Sequence, residues 1–241
     1  MEEFDLNLKI AHFNHNLRGK ESDEDEALVK KLAERRRLPF LSKKWDSPSG
    51  GNLEARARKA RYSFLENTRR ELNCNLIATG HHADDQAETV LMRLIEGSGY
   101  RGLRGIHKRS GRIIRPLLRF RKKELQDYAR VNQLRYRIDS SNRDLNFDRN
   151  RIRMEIIPTI EKLNPSFART VSRTVSSFGE ISDLLNREVN ALYARTVSLT
   201  PEGYFQIDEK LLGEPPLMLK KELIKSMAEG SLLYTTDAAD E

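Results

Sequence analysis

A chain of 241 residues with 38% hydrophobic content and a formal charge of +7 suits one large or two small domains around a real core. No apolar run approaches the roughly 18 residues of a membrane helix, and the first residues are read as carrying no signal peptide. The single cysteine, Cys74, excludes an intrachain disulfide, a CxxC redox pair and a cysteine-based zinc site. The expectation is a cytoplasmic protein with no membrane association.

Leu6 to Phe13 reads as a strand, followed by a polar corner from His15 to Asp25 and a helix through Ala27, Leu28, Leu32 and Ala33. Leu38-Pro39-Phe40-Leu41 begins a second strand, and Ser47 to Asn52 is a loop ending in a helix cap. In the next helix Leu53, Ala57, Ala60 and Phe64 form the apolar stripe, while Glu54, Arg58 and Arg61 line a neighbouring polar face. Leu76 to Thr79 predicts a short buried strand, and Ala87, Val90, Leu91, Leu94 and Ile95 then recur at helical spacing. Strands alternating with helices argue for crossovers over a parallel sheet, whose ligands bind beyond the strand C-termini.

Ile113 to Leu118 is a short edge or terminating segment, because Pro116 cannot donate to a ladder, and Lys122 to Arg130 is a helix. Beyond Pro165, apolar residues from Phe167 to Leu192 recur every three or four positions. They predict a helix from Ser166 to Arg195, about 45 Å long and read as a connector to another domain. Tyr204 to Ile207 is a strand candidate and Leu217 to Met227 a helix. Residues 231–241 show no structural pattern and are read as a non-native tail. The expected division is 1–157, 158–230 and that tail.

Chemistry concentrates between Ala78 and Thr89, where His81, His82, Asp84, Asp85 and Glu88 stand at one strand-to-helix corner. His81, Asp84, Asp85 and Glu88 fall at i, i+3, i+4 and i+7, so on a helix they would share one face and converge on one ligand. First-turn acids alone could simply complement the helix macrodipole, at about 0.3–1 kcal/mol each, which leaves the histidines unexplained. Carboxylates at a strand end suit Mg²⁺ held together with phosphate. A zinc site would want imidazoles at ligand spacing. Downstream, residues 101–153 carry 17 Lys and Arg against 5 Asp and Glu, a block able to attract a polyanion.

Five segments in order resemble the tRNA(Ile)-lysidine synthetase family, within the N-type ATP pyrophosphatase (PP-loop) superfamily: Ile10 to Glu26, Gly51 to Phe64, Ile77 to Ile106, Ile113 to Leu118 and Ile138 to Pro158. The resemblance implies an α/β, Rossmann-like parallel sheet with flanking helices, followed by the long connector helix and a partial helical, tRNA-binding domain. It implies a carbon-nitrogen ligase that uses ATP and Mg²⁺ to adenylate the first anticodon cytidine of a minor isoleucine tRNA, after which the ε-amine of free L-lysine displaces AMP.

Residue by residue, Asp85 would be the essential carboxylate and Mg²⁺ ligand, Arg61 would stabilise phosphate charge, and His81 would line the same pocket. Glu88 would grip the lysine, with Arg58, His15 and Arg18 as further substrate-binding candidates. Arg149, Arg151 and Arg153 match the family's RNxIR segment and would contact the tRNA backbone. A homodimer is a further option.

One departure is marked. The family opens with a strand and an SGGxDS phosphate loop, whereas this chain is read as opening at the second strand. Ser49-Gly50-Gly51 is not a substitute, since Asn52-Leu53 follows and no apolar strand precedes it. Weak or absent ATP binding is therefore expected of the chain as it stands. The alternatives are a tRNA thiolase of the same superfamily, which the lone cysteine argues against, and a non-catalytic RNA-binding remnant.

Overall fold

The computed structural model describes residues 6–46, 53–137, 148–213 and 215–228. The loop at 47–52, most of the Ile138 to Pro158 segment's first half and the tail at 231–241 lie outside the described residues. The chain forms two compact units. The first comprises Met1–Thr79, Arg112–Ile114 and Gln126–Ser140, and the second Gly80–Gly111, Arg115–Leu125 and Ser141–Glu241. The boundary expected after residue 157 falls inside the second unit.

In the first unit, β1 (Ile10–Asn14) and β2 (Phe40–Lys44) pair in parallel, with Ile10 opposite Phe40 and Asn14 opposite Lys44. Pro39 sits just before β2 and needs no ladder donor: its carbonyl accepts the Ile10 N–H at 2.9 Å. The strand predicted from Leu6 starts at Ile10, where its ladder with β2 begins, and Leu6 and Leu8 before it are exposed. Helix α1 (Lys20–Arg36) makes the crossover and buries Ala33. Helix α2 (Leu53–Glu71) packs Phe64 against Phe13, ring centroids 5.7 Å apart. A second parallel ladder joins β3 (Ile77–Ala78) to a strand at Ile113–Ile114. Among the described residues these are two separate ladders, β1 with β2 and β3 with Ile113–Ile114.

The second unit begins with α3 (Ala83–Ile95) and a tight turn at Gly102–Arg104, then the short strand β4 (Arg109–Ser110); the Ile113–Ile114 strand is β5. Helix α4 (Lys122–Val131) runs from the second unit into the first. Helix α5 (Asp148–Arg151), a π-turn over Ile152–Ile156 and α6 (Ile157–Leu163) form one continuous coil. Pro158 explains the widening: it has no N–H, and its ring would clash with the carbonyl four residues back, so the preceding turn opens.

Helix α7 (Phe167–Thr196) has the length its periodicity predicts. Its first half buries Ala168, Val171 and Val175 with Ala87, Ile152 and Ile157. Its second half buries Val189 and Leu192 with Leu223 of α9 (Leu217–Ala228). Both halves of α7 thus contribute buried residues to a core cluster. The helix leads into the antiparallel pair β6 (Val197–Leu199) and β7 (Phe205–Ile207), and a short helix α8 (Glu209–Gly213) precedes α9.

Candidate active site

In the first unit, β1 ends on Asn14, which is 2% exposed. Its side-chain amide donates to Asp23 at 3.0 Å and Glu26 at 2.9 Å of α1, and its Oδ1 accepts the Asn16 N–H at 2.8 Å. The left-handed backbone of Asn16, φ 54°, closes this turn. His15 stacks edge-on against Phe13 at 4.9 Å and faces Trp45 at 6.4 Å. Arg18 pairs with Asp25 at 2.7 Å and Glu21 at 3.2 Å. Burial lowers the pKa of His12 against the upward pull of Glu26 and Asp25. On α2, Arg58 and Arg61 both lie over the Tyr62 ring, at 5.0 and 5.2 Å from its centroid. Arg61 is half-buried and Arg58 exposed.

In the second unit, α3 starts one residue after His82, so His81 precedes the helix and does not share its face. His82 is the N-cap: its Nδ1 accepts the Asp85 N–H at 3.4 Å, and Asp85 Oδ2 accepts the His82 N–H at 2.9 Å. Two orphan donors of the first turn are thereby satisfied reciprocally, with imidazole in the place a Ser or Thr usually takes. The paired acids part company. Asp84 accepts from Arg121 at 3.0 Å and from the Lys122 N–H at 2.6 Å, and Arg121 also holds Glu161 at 2.6 Å. Burial would raise the Asp84 carboxyl, but the Arg121 guanidinium and the Lys122 N–H hold it below its ordinary value.

Glu88 points inward. Its side chain is 2% exposed, and its carboxylate accepts from Arg153 Nε at 2.6 Å, Arg153 Nη2 at 2.7 Å and Arg149 Nε at 3.2 Å. Arg149 and Arg153 reach it from either side of the π-turn boundary, four residues apart. The hydrogen bond to Glu88, against burial, raises the Arg153 pKa, with Asp85 and Asp84 adding to it. Arg153 Nη2 lies 3.8 Å from Asp85 Oδ1, so this guanidinium bridges the two carboxylates. Arg151 faces outward, 59% exposed and 3.9 Å from Glu155.

Further features shape this corner that sequence spacing does not mark. Arg121 is one, and the capping role of His82 another. Gln86, 3% exposed, accepts the Ile106 N–H and donates to the Ile106 carbonyl at 3.1 Å. Arg93 donates to the Gly102 and Gly105 carbonyls, so α3 grips the glycine-rich segment after it. Gly105, φ 62°, is required there: a Cβ would stand 2.6 Å from Gln86 Oε1.

The chain is α/β, with parallel ladders and helix crossovers, an arrangement in which ligands bind beyond strand C-termini. Residues 1–160 match the family model of the PP-loop domain, and the chain belongs to that family. Among curated relatives, it is 37% identical over 245 residues to a tRNA(Ile)-lysidine synthase of Geobacter sulfurreducens, covering 96% of this chain and 51% of the relative. The synthase of Chlorobaculum tepidum is 38% identical over 195 residues, covering 77% and 58%, and that of Dehalococcoides mccartyi 35% over 241 residues, covering 94% and 51%.

The chain spans about half the length of the curated relatives it matches. A U34-tRNA thiolase, NcsA, from Methanococcus maripaludis, solved with its [4Fe-4S] cluster, shares the fold at a TM-score of 0.57 and 21% identity, covering 71% of this chain and 62% of that one. No helix among the described residues is long and apolar enough to cross a membrane.

Proposed function

We propose that this chain is the catalytic part of a tRNA(Ile)-lysidine synthase, an ATP-dependent ligase that joins free L-lysine to the first anticodon cytidine of an isoleucine tRNA. The observation that carries it is the α3 corner, where Asp85 and Glu88 are joined through Arg153 inside a PP-loop domain with relatives of that name. The cytosine carbonyl oxygen would attack the α-phosphorus of ATP and expel pyrophosphate, and the lysine ε-amine would then displace AMP from the ring.

Asp85 takes the role of the essential carboxylate. Among the described residues no group of three His, Cys, Asp or Glu is placed to hold a metal. The donor set therefore fits Mg²⁺ only with Asp85 as a single protein ligand and phosphate oxygens and water supplying the rest. Arg61, with its planar guanidinium resting on Tyr62, would counter charge developing at the α-phosphate, and His81 would line the nucleotide. Arg58, His15 and Arg18 are the further substrate-binding candidates.

Glu88 would receive the lysine ammonium by exchanging one guanidinium partner for it, since both of its oxygens are engaged. Of the three arginines assigned to RNA, Arg151 is turned outward, and Arg149 and Arg153 would reach phosphate only on release from Glu88. With ATP and Mg²⁺ supplied, a full-length version should form AMP only when lysine and the isoleucine tRNA are both present. Lysine-independent turnover would contradict the proposal, and transfer of labelled sulfur to the tRNA would mark a thiolase instead.

A further inference from the structure

The second unit carries a cleft of about 890 Å³ between the 104–119 segment and one stripe of α7, from Ser166 to Asp183. Six cations line it, Arg104, Lys108 and Arg109, Arg119, Arg169 and Arg173, against two acids, Glu180 and Asp183. Arg104 is paired with Asp183 at 3.5 Å and Arg169 with Glu124. Lys108, Arg109, Arg119 and Arg173 are exposed and have no carboxylate partner among the described residues. The α7 wall is small and hydroxylated, with Ser166, Ser172, Ser176 and Gly179 along it, and the stripe from Arg169 to Asp183 is about 21 Å long.

We propose that this cleft is the track for the sugar-phosphate backbone of an RNA, engaged by Lys108, Arg109, Arg119 and Arg173 and floored by the α7 serines. The inference rests on the reading that the chain acts on a tRNA, and it moves backbone contact away from Arg149 and Arg153, whose guanidiniums are committed to Glu88. Exposed cations on a rim match a negative ligand, and the hydroxyls of Ser166 and Ser176 can donate to its oxygens, while Ser172 donates to the Ala168 carbonyl at 2.9 Å and contributes a small wall. Among the described residues no Phe, Tyr or Trp lines the cleft, so they offer no platform on which bases would stack, and these residues hold backbone without reading sequence. Its length and openness exceed what a single phosphate would fill.

The test measures binding of a fluorescein-labelled RNA hairpin to the 241-residue chain by anisotropy from low to high salt. Replacing the four cations with Ala should flatten the slope of log K against log salt by about 3, at roughly 0.7–0.9 per lost contact, and weaken binding at least tenfold at physiological salt. Ser172→Glu with Ser176→Glu, which leaves every cation in place, should weaken it similarly. Arg195→Gln, exposed near the end of α7 and outside the cleft, should leave the slope unchanged. An unchanged slope in the fourfold variant, or equal affinity for polyglutamate, would overturn the proposal. Lysine-dependent AMP formation is read separately, so loss of that activity with an intact RNA slope would sink the enzyme assignment and leave the cleft standing.

Discussion

Replacing Glu88 with Gln keeps the volume of a side chain that is 2% exposed and removes its charge. One amide oxygen can still accept from Arg153 Nε, but the amide NH₂ then faces Arg153 Nη2 and Arg149 Nε, donor against donor. Two charge-assisted contacts are lost at about 1.5 kcal/mol each, and removing one partner of a buried pair costs roughly 3–5 kcal/mol. Because Arg153 and Arg149 remain 24% and 35% exposed and can regain water, the lower end applies, about 3 kcal/mol. At roughly 2–4 °C per kcal/mol for a chain of this size, unfolding followed by far-UV circular dichroism should shift down by about 6–12 °C.

A double-mutant cycle with Arg153→Met should return a coupling above about 1 kcal/mol. A loss below about 1 kcal/mol for Glu88→Gln, or no coupling, would refute the claim that this carboxylate is the anchor of the π-turn arginines.

Gly105→Ala should cost about 2–3 kcal/mol in urea unfolding, because it combines a positive φ with a Cβ 2.6 Å from Gln86, and Gln86→Ala should make the pair less than additive. Folding holds Asp84 deprotonated below its ordinary 3.8, so unfolding takes up a proton there and stability falls as pH drops below about 4. Arg121→Ala should flatten that acid limb in a melting series. His12 resists protonation in the fold, whereas the unfolded chain accepts a proton below 6.5. Unfolding of the first unit, read by Trp45 fluorescence, should therefore become easier as pH falls from about 6.5 towards 5, and His12→Asn should abolish the trend.

Local pattern made the elements legible. Apolar spacing marked α2, α3 and α7 because a helix's own period reports its buried stripe, and α7 starts and ends within a residue of its predicted limits. Strand limits were less legible: β1 and β2 begin where Ile10 pairs with Phe40, and ladder length depends on a partner that periodicity does not reveal. Residue spacing points to the acidic corner but does not reveal its internal geometry. The i, i+3, i+4, i+7 spacing assumed that the helix already included His81. With His82 as cap, Asp84 turns to Arg121, 37 residues on, and Glu88 to Arg153, 65 residues on. Such partners lie on other elements, and the only hint was the four-residue spacing of Arg149 and Arg153. The same limit hid the packing of α7, whose stripe was visible while its covers, α3 and α9, were not.

Under the proposed function, Asp85 and Arg61 are each required for adenylation of a tRNA cytidine. Its most direct measurement is AMP release by the full-length protein with ATP, lysine and tRNA(Ile), comparing wild type with Asp85→Asn and Arg61→Ala. Both variants should keep their circular dichroism and melting behaviour and lose at least about 10²-fold in rate. Either variant turning over at near wild-type rate while folded would contradict the account.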